Sequence, residues 1–114
     1  EHIKDYVLIS NPGEEPFQWL QVSGDPTLAF LVVSPHEVMS NYAPDISAED
    51  IQSLQLEEPG DALIFNIVTL RSRGRSTVNL KGPVVINQIT RLGKQVVLSN
   101  AAEYSVQHPL PYSE

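Results

Sequence analysis

The sequence predicts a mainly β fold, a compact antiparallel β-barrel-like domain with one short helix. Its apolar residues come in short runs rich in Val, Ile and Leu, and the longest run covers only residues 28–33. Turn-forming Gly, Pro and Asn separate these runs at short intervals, and no β-helix-β alternation is visible, a pattern typical of an antiparallel barrel or sandwich. A length of 114 residues, with 41% apolar and 18% charged side chains, fits a single domain at residues 1–114 that buries its own core.

The first three strands are predicted at residues 4–10, 17–22 and 28–33. The second alternates apolar and polar residues, with one slip beside Trp19, and the third is continuously apolar, as expected of a strand covered on both faces. A turn at residues 23–26 joins the second and third strands into a hairpin. Trp19 is the only tryptophan, and it is either a core aromatic or an anchor for a partner.

The one good helix candidate covers residues 47–54. Ser47 caps its amino end, and two acids in the first turn favour the positive end of the helix dipole. Ile51 and Leu54 share one face, which Leu56 extends. So short a helix depends on tertiary packing for its stability.

Residues 76–87 form a bent strand by the same reasoning. Gly82 permits a positive φ, and Pro83 fixes φ and has no N–H to donate, so the pair makes a bend that cannot sit inside a central ladder. Asn79 and Asn87 each close a β-prone run, and we expect their side chains to hydrogen-bond the backbone there.

The other elements follow from the same signals. Residues 62–70 are the longest strand candidate, and 71–75 form a basic hairpin tip. We expect a tight turn at 91–94, a last strand at 95–98, and a peripheral tail or short edge segment at 99–114.

Charge is strongly segregated along the chain, whose net charge is −7. No Lys or Arg occurs between Asp5 and Leu70, a stretch that holds eleven acids, and no acid occurs between Arg71 and Lys94, which hold six basic residues. This pattern fits either two solvated faces or a bipolar surface that attracts a basic partner and repels polyanions. We therefore do not expect the protein to bind nucleic acid directly.

Chemistry typical of an enzyme is missing from the sequence. The three histidines have no metal-ligand spacing, there is no cysteine, and no phosphate-binding loop or nucleophile elbow is present. Adjacent acids such as Glu57 and Glu58 are expected to be solvated rather than catalytic. The sequence therefore favours a non-enzymatic binding module without a cofactor or a membrane-spanning segment, and the cytosol is the simplest location.

Several segments together resemble the flagellar assembly factor FliW family. The similarity is collinear from Lys4 to about Tyr104, and its most specific part is residues 77–87, where Gly82 departs from the Ala expected more often. The segments that carry it are Phe17-Gln-Trp-Leu-Gln-Val22, Asp25-Pro26, Leu28-Ala29-Phe30, Pro35, Tyr42, Val68-Thr69, residues 76–87 and Gln95-Val-Val-Leu98.

The resemblance implies a cytoplasmic partner switch. FliW-type proteins bind newly made flagellin and also CsrA, a small dimeric RNA-binding repressor of flagellin translation. Flagellin that accumulates occupies FliW and frees CsrA; once flagellin is exported, FliW sequesters CsrA and relieves the repression. The family also has an N-terminal strand region ahead of the position of His2, and we expect this region to be missing here, with part of the barrel open or completed by another element.

Candidate contact residues are the positions in these segments that core packing explains least. They are Tyr42, Asn79, Lys81, Pro83 and Asn87, and a structural role is an equal alternative for each. A second set, the acidic surface, is proposed to repel RNA from a bound repressor. It consists of Glu49, Asp50, Glu57 and Glu58.

Two other functions remain open at this point. One is a small-ligand-binding β-barrel or enzyme with a pocket inside the fold, which a roomy interior with converging polar groups would favour. The other is a dedicated flagellin chaperone without a regulatory role.

Overall fold

A computed structural model describes residues 6–22, 28–71 and 75–110. The predicted turn at 23–26 and the centre of the basic tip, 72–74, lie outside these ranges. The described chain forms eight strands, one α-helix and three 3-10 turns. These are β1 (Tyr6–Ile9), β2 (Phe17–Val22), β3 (Ala29–Val33), α1 (Ala48–Ser53), β4 (Ala62–Thr69), β5 (Thr77–Val78), β6 (Val84–Asn87), β7 (Gly93–Gln95) and β8 (His108–Pro109), with 3-10 turns at Pro35–Glu37, Pro59–Asp61 and Ala101–Glu103.

All the strand pairs are antiparallel. The sheet runs β1-β2-β3-β4-β5-β8, and β6 pairs with both β4 and β7. Among the described strands β1, β7 and β8 each have one partner, so the sheet is open and does not close into a complete barrel. The predicted fold class, mainly antiparallel β with one short helix, is confirmed, as is the hairpin of β2 and β3.

Strand β4 lies at the centre because it pairs with three neighbours. Its Asn66 and Ile67 face β3, whereas its first half pairs with β6 and its last two residues with β5. Strands β5 and β6 lie on the same edge of β4. The Ile67 carbonyl accepts from the Asn79 N–H, next to β5. Backbone groups two residues apart along a strand point to the same edge, so the β4 residue two positions earlier, which pairs with β6, points to that edge as well. The bent strand predicted from the sequence is thus two short strands on one edge of β4.

The core lies on both faces of the strands around β4. Along β6, Val84 and Ile86 pack into one cluster of buried side chains and Val85 packs into the other, as the twofold periodicity of a strand requires. The larger cluster includes Val78 and Leu80, both 0% exposed. Residues 76–87 therefore supply side chains to both halves of the core.

The end of the sheet differs from the prediction. We expected a turn at 91–94 and a strand at 95–98, but the turn covers residues 88–90 and β7 is Gly93–Gln95. The ladder between β6 and β7 stops at the pair of Val84 with Gln95. Pro83 is the next residue on that side; its carbonyl accepts from Val96 N–H at 2.9 Å, but it has no N–H to return.

Asn87 joins three pieces of the fold. Its Nδ2 donates to the carbonyls of Leu54 (2.9 Å) and Gln55 (3.0 Å), which end α1, and its Oδ1 accepts from the N–H groups of Ile89 (2.8 Å) and Thr90 (3.2 Å). The side chain is 1% exposed. This confirms the predicted backbone hydrogen bonding, and it explains why the turn begins directly after β6.

Helix α1 begins and ends with capping interactions. Ser47 Oγ accepts from Asp50 N–H at 3.1 Å, as the sequence predicted. At the other end Gln55 has φ +59°, and Leu56 N–H donates to the Ile51 carbonyl at 3.0 Å, which is a Schellman motif with a glutamine where glycine is usual. The two hydrogen bonds from Asn87 hold this unusual residue in place.

Asn87→Ala is expected to lower the free energy of unfolding by about 2–3 kcal/mol, because buried backbone groups lose their partners. Urea denaturation measures this change. Asn41→Ala is the matched control: Asn41 is exposed, and its change should stay within about 0.5 kcal/mol. Unchanged stability in Asn87→Ala, together with lost binding of a partner, would make Asn87 a contact residue instead.

Candidate partner-binding surface

The five predicted contact residues differ in exposure, and Asn87 lies at the opposite end of β6 from Pro83. Tyr42, Pro83 and Asn87 are buried, whereas Asn79 and Lys81 are half-buried. Their surroundings show a structural task for four of them, and the side chain of Lys81 has no hydrogen bond or ion pair within the described residues. Their partner contacts stay a prediction.

Tyr42 is anchored inside the larger core cluster. Its hydroxyl donates to the Leu80 carbonyl at 2.7 Å, and its ring lies against that of Tyr104, with centroids 4.7 Å apart and planes at 58°. Burial raises the pKa of the Tyr42 hydroxyl above its ordinary value. Tyr42 therefore ties the loop before α1 to the bent strand.

The Asn79 loop, residues 79–83, is the bend between β5 and β6. Asn79 Oδ1 accepts from the N–H groups of Lys81 (3.0 Å) and Gly82 (2.9 Å), and Gln95 Nε2 donates to the Gly82 carbonyl at 2.8 Å. Gly82 does not adopt a positive φ, and a Cβ built on it would lie 3.2 Å from Gln95 Nε2, the end of a flexible side chain. Alanine therefore fits here with a small shift of Gln95.

Asn66 lies on β4 behind this loop and is 0% exposed. Its Nδ2 donates to the Asn79 carbonyl at 2.9 Å, and its Oδ1 is the only buried side-chain polar atom of the described residues without a hydrogen-bond partner. Its role was not predicted, because in the sequence Asn66 is only one polar position in an apolar strand. Asn66 thus supports the bend from inside the sheet.

One of the four residues of the predicted acidic surface, Asp50, forms an ion pair. Lys94 Nζ lies 2.7 Å from Asp50 Oδ1, and both side chains are mostly buried. The hydrogen bond from Lys94 holds the pKa of Asp50 below its ordinary value. Glu49, Glu57 and Glu58 form no salt bridge within the described residues. Asp50 therefore joins α1 to β7, whereas the other three acids are exposed and form no such link.

A groove runs between α1 and the first half of β4. It has a volume of about 460 Å³ and is mostly apolar, with acidic residues among those around it. We call it the α1–β4 groove, and its lining residues are Pro44, Asp45, Ile46, Ile51, Leu56, Glu57, Glu58, Pro59, Ala62 and Ile64. The sequence predicts that Ile51 and Leu54 share one face, but in the structure Leu54 is fully buried and Ile51 is 40% exposed in the groove.

Two further grooves lie on the described surface. One, of about 260 Å³, includes Phe17, Trp19 and Leu31 below Glu14 and Glu15. Trp19 is half-buried there, so both of its predicted roles, core aromatic and partner anchor, stay open. The other groove, of about 530 Å³, lies between β1 and the strands β4 and β6.

The described interior does not resemble a small-ligand site. The side chains of Leu54, Leu80 and Val85 are 0% exposed, and the three buried polar residues make hydrogen bonds to backbone groups. A ligand site needs polar groups that converge on open space. No three acidic or histidine residues in the described ranges converge as a metal site, and no described helix is long and apolar enough to cross a membrane.

These features define an antiparallel β domain whose described interior is filled by side chains. The family model for FliW protein matches residues 1–110. The flagellar assembly factor FliW of Moorella thermoacetica is 38% identical over 112 residues, covering 96% of this chain and 70% of that protein. The corresponding protein of Clostridioides difficile is 34% identical over 111 residues, covering 96% and 85%.

Solved structures agree with the sequence comparison. A crystal structure of the flagellar assembly factor FliW matches with a TM-score of 0.83 at 32% identity, covering 96% of this chain and 77% of that one. The chain belongs to the FliW family. The resemblance inferred from the sequence segments is thereby confirmed.

Lys94→Met is expected to lower the free energy of unfolding at pH 7 by about 1 kcal/mol, because it removes a partly buried ion pair. The pKa of Asp50 in the folded protein lies below its ordinary value of 3.8. The ion pair therefore stabilises the folded protein above pH 3.8, and this contribution is lost as the pH falls through the folded pKa. Urea denaturation of both proteins at pH 7 and at lower pH measures the difference. Lys81→Met, a half-buried lysine without an ion pair, is the control; an equal loss at both pH values would contradict the prediction.

Proposed function

We propose that this protein acts in flagellar assembly as a non-enzymatic, cytoplasmic partner switch. It binds flagellin and a CsrA-type translational repressor at different times, so that flagellin translation is repressed while free flagellin is abundant. Membership of the FliW family supports this proposal, because its relatives are named flagellar assembly factors.

The described surface supports protein binding over catalysis. The three buried polar residues of the described chain each make a hydrogen bond to the backbone, and the α1–β4 groove is open, mostly apolar and has acids around it. An RNA-binding repressor carries basic surface, since it must neutralise phosphates. An acidic protein with a net charge of −7 is complementary to such a partner and does not itself attract RNA.

The acidic surface gives the switch a physical means of releasing RNA. Glu49, Glu57 and Glu58 are exposed and unpaired by salt bridges in the described chain, whereas Asp50 is neutralised by Lys94. Docked beside the RNA site of a repressor, three free carboxylates oppose the approach of phosphates without occupying that site. The proposed repulsion of RNA therefore depends on three acids and not on all four that the sequence suggested.

The partner switch predicts that the protein binds CsrA and flagellin separately and that the two compete. Isothermal titration with each purified partner, and then with CsrA in the presence of excess flagellin, measures both steps. Binding of flagellin alone would identify a dedicated flagellin chaperone instead. Binding of neither partner would overturn the proposal.

The repulsion mechanism predicts that the triple variant E49Q/E57Q/E58Q, added at a concentration that saturates CsrA, displaces RNA from it less effectively than the unchanged protein does. Gln keeps the acceptor oxygen of Glu58, whose side chain caps the 3-10 turn at Pro59–Asp61, and Asp50 is left paired. The control E14Q/E15Q/E103Q changes net charge equally at other exposed sites. If the triple variant binds CsrA and expels RNA as well as the control does, the repulsion idea is wrong.

A further inference from the structure

The α1–β4 groove combines an apolar interior with an acidic rim. Ile46, Ile51 and Leu56 form its side toward the helix, and Ala62 and Ile64 of β4 form the other side. Ile51 keeps 40% of its surface exposed although it lies between apolar neighbours. The groove thus leaves apolar surface uncovered that a partner side chain can bury.

The rim of the groove carries charge of one sign. Asp45, Glu57 and Glu58 line it, and none of them forms a salt bridge within the described residues. Asp50 lies next to Ile51 in sequence, but Lys94 already neutralises it. The unpaired charges therefore surround the apolar opening, where they face a bound partner.

The walls of the groove are fixed by hydrogen bonds from distant parts of the chain. Asn100 accepts from Asp45 N–H at 3.0 Å and donates to the Ala43 carbonyl at 2.9 Å, and the Tyr104 hydroxyl accepts from Ala43 N–H at 2.9 Å. The Asn87 side chain fixes the carboxyl end of α1 through its hydrogen bond to the Leu54 carbonyl. A groove whose walls are already fixed loses little conformational entropy when a partner binds.

We propose that the α1–β4 groove binds a short apolar stretch of a basic partner segment, whose flanking Lys or Arg side chains pair with Asp45, Glu57 and Glu58. This inference rests on the proposed function and extends it by assigning a surface to one partner. Charge complementarity selects the RNA-binding repressor as the occupant, because its surface must be basic to hold phosphates, and flagellin is not assigned to this groove.

Two substitutions separate the apolar and the electrostatic parts of the groove. Ile51→Ser removes a half-exposed apolar side chain, and Glu57→Lys reverses one exposed rim charge. Ile89→Ser, at a residue that is 72% exposed outside the groove, and Glu103→Lys, at an exposed acid outside it, are the matched controls. If Ile51→Ser does not fold, Glu57→Lys still tests the groove. Thermal denaturation checks that all four variants are folded.

Titration with purified CsrA is expected to show dissociation constants raised about tenfold by each groove variant and changed less than about twofold by each control. Flagellin binding should stay unchanged in all four. CsrA binding that survives in both folded groove variants would overturn the groove assignment while the partner switch stands. Loss of flagellin binding in place of CsrA binding would overturn the choice of occupant, and an unchanged protein that does not bind CsrA would overturn both proposals.

Discussion

The whole sheet depends on one geometric constraint: a strand has two edges, and β4 must serve three neighbours. One edge pairs with β3, so β5 and β6 share the other. Between the pairs of Val68 with Val78 and Phe65 with Val84, β4 advances by three residues and its partner by six. The Asn79 loop, residues 79–83, therefore lies opposite only two residues of β4, and three of its residues have no place in the ladder. Because that loop interrupts a buried edge, its backbone groups need other hydrogen-bond partners.

Asparagines supply those partners. An amide side chain both donates and accepts, so one residue can satisfy a carbonyl on one side and N–H groups on the other. Asn79 closes the loop from within, Asn66 reaches it from β4, and Asn87 connects the end of β6 to the end of α1. The family resemblance is strongest over residues 77–87, which contain Asn79 and Asn87. Its specificity reflects a backbone problem with few chemical solutions as well as any surface that a partner contacts.

Much of this fold could be predicted from the sequence because its signals are local. Alternation and turn residues located β1 to β4, and Ser47 located the start of α1, since each pattern is complete within a few residues. The strand predicted at residues 95–98 was displaced to β7 because its ladder ends at Pro83, which is distant in sequence and becomes its neighbour only in the fold. The groove was missed for the same reason: its acids are visible in the sequence, but its walls come from a loop, a helix and a strand. Likewise, Asp50 could not be distinguished from its acidic neighbours before Lys94 was placed beside it.

The hydrogen bonds that fix the groove also set when it can form. The wall at Ala43 and Asp45 is held by side chains 61 and 55 residues further along the chain. A ribosome must add and release these residues before the wall has its final shape. Nascent chains that have not yet released Tyr104 therefore carry the acids and the apolar residues of the groove but lack the hydrogen bonds that fix its wall. We expect partner capture at this groove to begin only after Tyr104 has left the ribosome.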